Sequence, residues 1–207
     1  MAKRVVDESS LISVADAIRE RAGTSEPLVF PEGFKSAVEG IPDLLEQYST
    51  DTLIEYKNPR LALICRNFLY KCTSLKSVYL PAVTLVEHNA FEECTNLSEV
   101  NIPKAETLGN RIFANTKVKT LDLPSANRFY PETFWYAPLE ALILRGNKIP
   151  TLDGSGFINN TPIASGTGFI YVPRSLLDSY KTATNWSAHA SKFRAIEDYP
   201  EITGGAV

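Results

Sequence analysis

Three groups of residues carry chemistry by type, and their spacing tests each one. Cys72, Cys94 and His88 are soft metal donors, but a structural zinc site takes four Cys or His ligands at short spacings. No CxxC pair occurs, and His88 and His189 are the only histidines, so no metal site is expected. Gly154-Ser155-Gly156 and Gly166-Thr167-Gly168 invite comparison with the G-x-S-x-G nucleophile elbow, and neither has its spacing. Turn duty accounts for both. No P-loop or G-x-G-x-x-G opens a helix. Glu92 and Glu93 are adjacent carboxylates, expected to be solvated on a turn. With no His, Cys and carboxylate cluster, the sequence predicts neither an enzyme site nor a cofactor.

Binding chemistry is better represented. Phe129-Tyr130-Pro131 and Phe134-Trp135-Tyr136 place six residues, five of them aromatic, within one short stretch. Aromatic rings with a polar tip suit protein contacts and can stack on sugar rings. What such rings do depends on which of them the fold buries, and the elements that decide this are repetitive.

The segment Cys94-Thr95-Asn96-Leu97-Ser98-Glu99-Val100-Asn101-Ile102-Pro103 matches Cys72-Thr73-Ser74-Leu75-Lys76-Ser77-Val78-Tyr79-Leu80-Pro81, 22 residues earlier. A degraded first copy is Leu53, Tyr56, Asn58 and Pro59. Later copies, spaced by 21, are Val118, Leu121, Leu123 and Pro124, then Leu139, Leu142 and Leu144, with Arg145 in the proline position. A looser copy ends at Ile170, Val172 and Pro173, after an insertion rich in Gly, Ser and Asn. Two further apolar columns keep the register: Leu69, Phe91, Phe113, Phe134 and Phe157, and Ile64, Val86, Leu108, Phe129 and Leu152. A repeat of this length is the signature of a stacked solenoid, because one unit cannot bury its apolar face alone.

Each L-x-x-V-x-L-P unit is expected to form a short strand that buries the first and third residues of V-x-L and ends at the proline. The residues between them then face outward in two columns. One is Ser77, Glu99, Thr120, Ala141 and Phe169; the other is Tyr79, Asn101, Asp122, Ile143 and Tyr171. These columns are the first candidate binding face. Tyr130, Trp135 and Tyr136, which fall outside the buried columns, form the second, either as a binding patch or as a subunit contact. Cys72 and Cys94 share a column and are expected to be buried thiols rather than a disulfide.

The motif F-x-x-C-x-x-L-x-x-V-x-L-P, over about residues 50–173, resembles the BspA-like class of bacterial leucine-rich repeats. The expected fold is therefore an α/β repeat: a short leucine-rich-repeat solenoid of about 22-residue period with parallel strands and irregular or short helical returns. Residues 1–42 are expected to be a helical attachment or oligomerisation module, 43–173 the solenoid, and 174–207 a helical C-terminal cap. In the cap, Leu176, Leu177 and Tyr180 share a helical face, and Trp186, Phe193 and Ile196 extend the cover over the last coil. In the N-terminal module, ADAIRERAGTSEPLVFPEGFKSAVEGI resembles a segment at the front of phage tail and fibre-like proteins. It is expected to bury Ile12, Val14, Ile18, Phe30 and Phe34 against a partner or symmetry mates.

These resemblances imply a non-enzymatic phage virion protein, a tail-fibre or receptor-binding component that contacts a host-surface glycan or protein. The class also implies attachment to other virion proteins and a homo-oligomer, a trimer among the options. The alternatives are a head-fibre, decoration or baseplate protein, or a bacterial surface adhesin. Composition bounds the choice. The 207 residues are 44% hydrophobic and 22% charged, as in a globular chain, and 21 basic against 24 acidic residues disfavour nucleic acid as partner. No apolar run reaches the roughly 20 residues of a membrane span, and no signal peptide is evident, so synthesis and folding in the host cytoplasm are expected.

Overall fold

The computed structural model describes residues 53–204. The five apolar positions expected in the N-terminal module, Ile12, Val14, Ile18, Phe30 and Phe34, lie outside these residues.

The chain winds through two rows of short parallel strands. The first row holds β1 (Glu55–Lys57), β3 (Ser77–Tyr79), β5 (Glu99–Asn101), β7 (Thr120–Asp122), β9 (Ala141–Ile143), β11 (Phe169–Val172) and β12 (Phe193–Ala195). The second holds β2 (Leu63–Ile64), β4 (Leu85–Val86), β6 (Thr107–Leu108), β8 (Arg128–Phe129) and β10 (Thr151–Leu152). The second row is one five-stranded sheet, while the first is two sheets, β1-β3-β5 and β7-β9-β11-β12. Between β5 and β7 there is no ladder, but Lys117 N–H donates to Leu97 O at 2.8 Å just ahead of β7. The returns expected to be irregular or helical thus contain a strand of their own.

The local cause recurs from rung to rung, with Val100 at the centre of β5 only half-buried against the core. Val78, Leu121 and Leu142 are buried at the strand centres, and Leu80, Leu123 and Leu144 follow them into the core. Glu55 pairs with Ser77 and Ser77 with Glu99, one repeat apart. The ladder runs one residue past the strand, with Leu80 N–H donating to Asn101 O at 2.9 Å. It stops at Pro81, which has no N–H to give. In the second row Ile64, Val86, Leu108, Phe129 and Leu152 all point inward and are buried.

Behind the strands runs a column of rings. Phe91 and Phe113 stack with centroids 5.8 Å apart, and Phe113 and Phe134 with centroids 5.7 Å apart. Phe157 and then Trp186 continue the column, edge-on rather than stacked. Each ring removes a whole side chain from water, worth about 1.5–3 kcal/mol before entropy is counted. A third ladder laces this side, with Asn67, Leu69 and Lys71 N–H donating to His88, Ala90 and Glu92 carbonyls. Two backbone corners frame it in the left-handed region: Asn67, Asn89, Arg111 and Glu132, then Lys71, Glu93, Asn115, Tyr136 and Asn160.

Cys72 and Cys94 are buried thiols with no disulfide between them. The Cys94 thiol donates to Leu69 O at 3.0 Å, and burial pushes its pKa up to about 12.

At the C-terminal end, α1 (Pro162–Ser165) lies in the insertion, and a 3-10 turn at Arg174–Leu176 leads into α2 (Leu177–Thr182). Tyr180, Trp186 and Phe193 join the main core as expected. Ile196 does not: the chain passes through β12, which pairs with β11, and emerges on the outer face of the first row. A last helix, α3 (Pro200–Thr203), follows.

Candidate recognition surface

The outer face of the first row has two parts. Over β3, β5 and β7 it is open: Tyr79, Glu99, Asn101, Thr120 and Asp122 are exposed and Ser77 is half-buried. Tyr79 is 44% exposed, a large ring left in water at the β3 end of a polar strip. Parallel pairing in register sets Tyr79 beside Asn101 on the neighbouring strand. Asp122 is held from the next rung, where Arg145 Nε donates to its carboxylate at 2.8 Å. Arginine can make this reach because it occupies the position where earlier units carry proline.

Over β9 and β11 the face is closed, which corrects the expected exposure of two candidates. Ile143 and Tyr171 are each only 3% exposed, and Ala141 is buried with them. They form a second, small apolar cluster with Ile196, against which Phe169 and Tyr199 pack. The Tyr199 ring meets Tyr171 edge-on at 5.4 Å, and the Arg194 guanidinium lies 3.9 Å from the Phe169 ring centroid. Burial is the main cause that raises the Tyr171 phenol above its ordinary pKa. Side-chain alternation along the strand placed these residues on the outer side correctly; the chain's own last segment then covers them.

The three aromatics of the second candidate divide into two sites. Tyr130 is half-buried, edge-on to His88 at 5.2 Å, with the Arg128 guanidinium 5.0 Å from its ring centroid. Arg128 is itself gripped by Asp153 through bonds of 2.8 and 3.0 Å. Trp135 and Tyr136 meet edge-on at 4.7 Å around the next corner. Among the described residues no ring contact joins Tyr130 to either. Arg111 lies over Trp135 at 4.3 Å and pairs with Glu92 at 2.8 Å. Glu92 is therefore not the solvated turn residue expected; it is buried, and desolvation pushes its carboxyl pKa up against the pull of Arg111. Tyr136 stays 55% exposed.

Arg111 and Arg128 were not singled out from the sequence. Their signal is a cation in the same repeat as an aromatic cluster, and it is weak without the fold. Among the described residues no group of three or more His, Cys, Asp or Glu could hold a metal ion. No helix among them is long and apolar enough to cross a membrane.

An open polar strip on parallel strands, backed by an apolar column of fixed register, is the geometry of a repeat protein. The family model for the BspA type leucine rich repeat region matches residues 59–168 in six copies. This chain belongs to that family. A solved structure similar to this BspA-type chain is a leucine rich cell surface protein from Faecalibacterium prausnitzii A2-165, at 17% identity and a TM-score of 0.38. The similarity covers 73% of this chain and 41% of that one, so this chain spans less than half the length of its neighbour. No curated protein matches this BspA-type chain.

Proposed function

We propose that this chain is a non-enzymatic recognition protein that adheres to a bacterial cell surface through the outside of a short solenoid closed by residues 174–204. The observation that carries the reading is the open outer face over β3, β5 and β7, with Tyr79, Asn101 and Asp122 exposed on adjacent rungs. Repeat proteins use extended faces of this kind to bind, because a rigid sheet presents many side chains at no ordering cost. The pairing of strands 21 or 22 residues apart from β1 to β9 supports the solenoid. The placement of Tyr180, Trp186 and Phe193 over the last ring of the Phe column supports its closure.

The virion reading rests in part on residues 1–42, which lie outside the described residues. The role proposed here is carried by residues 53–204 and is the same whether a particle or a cell presents them.

The test is adhesion of the fluorescently labelled full chain to intact bacterial cells, read by flow cytometry. The triple variant Tyr79→Ala, Asn101→Ala and Asp122→Ala is expected to bind at least about tenfold less, the effect of losing roughly 1.4 kcal/mol of contact. Unchanged adhesion would remove the open strip as the contact surface. No adhesion by the wild-type chain to any cell type would remove the reading itself.

A further inference from the structure

We propose that the groove between Tyr136 and the insertion at residues 160–167 is a binding site for a neutral saccharide. The inference rests on the recognition reading above and names a ligand class at a second place on the surface.

The groove is shallow, about 560 Å³, and lined by Tyr136, Asn160, Thr161, Pro162, Ala164 and Ser165, with Thr167 at one end. None of these side chains carries a charge. The Lys192 ammonium lies beside Gly166 at the edge, but the lining itself offers stacking and neutral hydrogen bonds as its means of binding. Tyr136 supplies the stacking surface. Its ring is 55% exposed, yet it does not hang free, because it abuts Trp135 at 4.7 Å. Trp135 is in turn held under Arg111, which pairs with Glu92. The C–H face of a pyranose ring packs on such a platform as other apolar surfaces do.

The opposite wall supplies hydrogen-bonding groups. Asn160 occupies the left-handed corner one rung beyond Tyr136. Its side-chain amide has no partner among the described residues, so two donors and an acceptor remain for a ligand. The Ser165 and Thr167 hydroxyls each lie within donating distance of Pro162 O, and 3.3 Å from one another. Their oxygens can still accept from sugar hydroxyls. Thr161 is committed on both sides, donating to Ile158 O and accepting from Ala164 N–H, and acts as wall only.

Two features set this rung apart. Its first-row strands, Ala141 and Phe169, pair across 28 residues, whereas Thr120 and Ala141 pair across 21. The extra length builds the far wall of the groove. Tyr136 also takes a φ of 56°, a strained conformation for a bulky side chain, at a corner where other rungs place Lys71, Glu93, Asn115 and Asn160. Tyr136 leaves more than half its surface in water at a strained corner, and such strain collects at functional sites.

The strain also makes the test clean. Tyr136→Asn keeps a residue that tolerates the left-handed region and removes the ring. Full-chain wild type and Tyr136→Asn are titrated with a panel of neutral trisaccharides of glucose, mannose, galactose and N-acetylglucosamine, up to about 10 mM, following Trp fluorescence and ligand-observed NMR. The expected result is that one of the panel binds the wild type, and that Tyr136→Asn loses at least about tenfold in affinity while its unfolding midpoint stays at or above wild type. A purely structural Tyr136 predicts the reverse, a lower midpoint. Equal saccharide affinity in Tyr136→Asn would overturn the site. No saccharide binding, with adhesion to cells retained, would overturn the inference and leave the recognition reading standing. Loss of both would end both.

Discussion

The indole N–H of Trp186 donates to the carbonyl of Pro150 at 2.6 Å, deep in the last rung. Two neighbours do the same work: Asn185 Nδ2 donates to Leu152 O at 2.7 Å, and His189 Nε2 lies 2.8 Å from Ser155 O. These carbonyls sit at the end of the second row, where among the described residues no further strand follows β10 to donate to them. An unpaired strand edge is an aggregation site, and three side chains from the C-terminal segment occupy this one. Trp186→Phe keeps most of the ring contacts and removes the donor. It is expected to cost about 1–3 kcal/mol, the desolvation penalty of the orphaned carbonyl. Urea unfolding measures this; a loss under a few tenths of a kcal/mol would mean that water replaces the indole.

Phe113 lies between Phe91 and Phe134 with almost parallel planes on both sides, 16° and 7°. It has no exposed surface, and the rungs above and below are tied by ladders that resist collapse. Phe113→Ala is therefore expected to cost about 3–5 kcal/mol, at the upper end because the cavity cannot close. Phe113→Leu should recover much of that. A small loss in Phe113→Ala under denaturant titration would show that the rungs slide together.

The three thiols separate by environment. Cys72 and Cys94 are buried, and burial pushes Cys94 up to about 12, so Cys94 supplies no thiolate at neutral pH. Cys65 is partly exposed, with its pKa raised by burial and then by Glu87. A thiol reagent at pH 8 should label Cys65 slowly and leave the other two untouched until the chain is unfolded. Rapid labelling of Cys72 or Cys94 in the native protein, located by peptide mass, would show that the rungs open.

How much of this was readable in the sequence follows from what a column of residues can encode. The Phe column and the Ile64-to-Leu152 column announce buried sides, because the same apolar type returns in the same place. The second-row strands did not announce themselves as strands. Two residues, as in Leu85–Val86, are too few to display an alternation. The left-handed corners were equally silent: Asn67 and Asn89 suit that backbone, but Arg111 and Glu132 take it up because the rungs on either side impose it. The covered face at Ile143 and Tyr171 had a signal that alternation alone does not use. Rungs with Ser, Glu and Thr outside give way to Ala141 and Phe169, and Tyr, Asn and Asp give way to Ile143 and Tyr171. A polar column turning apolar marks where another segment packs, although it cannot say that Ile196 and Tyr199 supply it.

His189 gives the C-terminal segment a pH dependence whose sign the structure determines. The ring packs edge-on to Phe157 at 5.5 Å and gives its Nε2 proton to Ser155 O. Burial lowers its pKa below 6.5; the Ser155 carbonyl opposes this and Lys192 adds to it. The native chain thus holds the ring neutral where the unfolded chain would already bind a proton. Stability from this group is complete above pH 6.5 and declines as pH falls through that value, because unfolding then takes up a proton. His189→Gln retains a donor toward Ser155 O and removes the titration. Urea midpoints measured from pH 7.5 to pH 5 should fall for the wild type and fall less for His189→Gln. Parallel profiles for the two proteins would show that His189 carries no part of the acid sensitivity and that carboxylates elsewhere account for it.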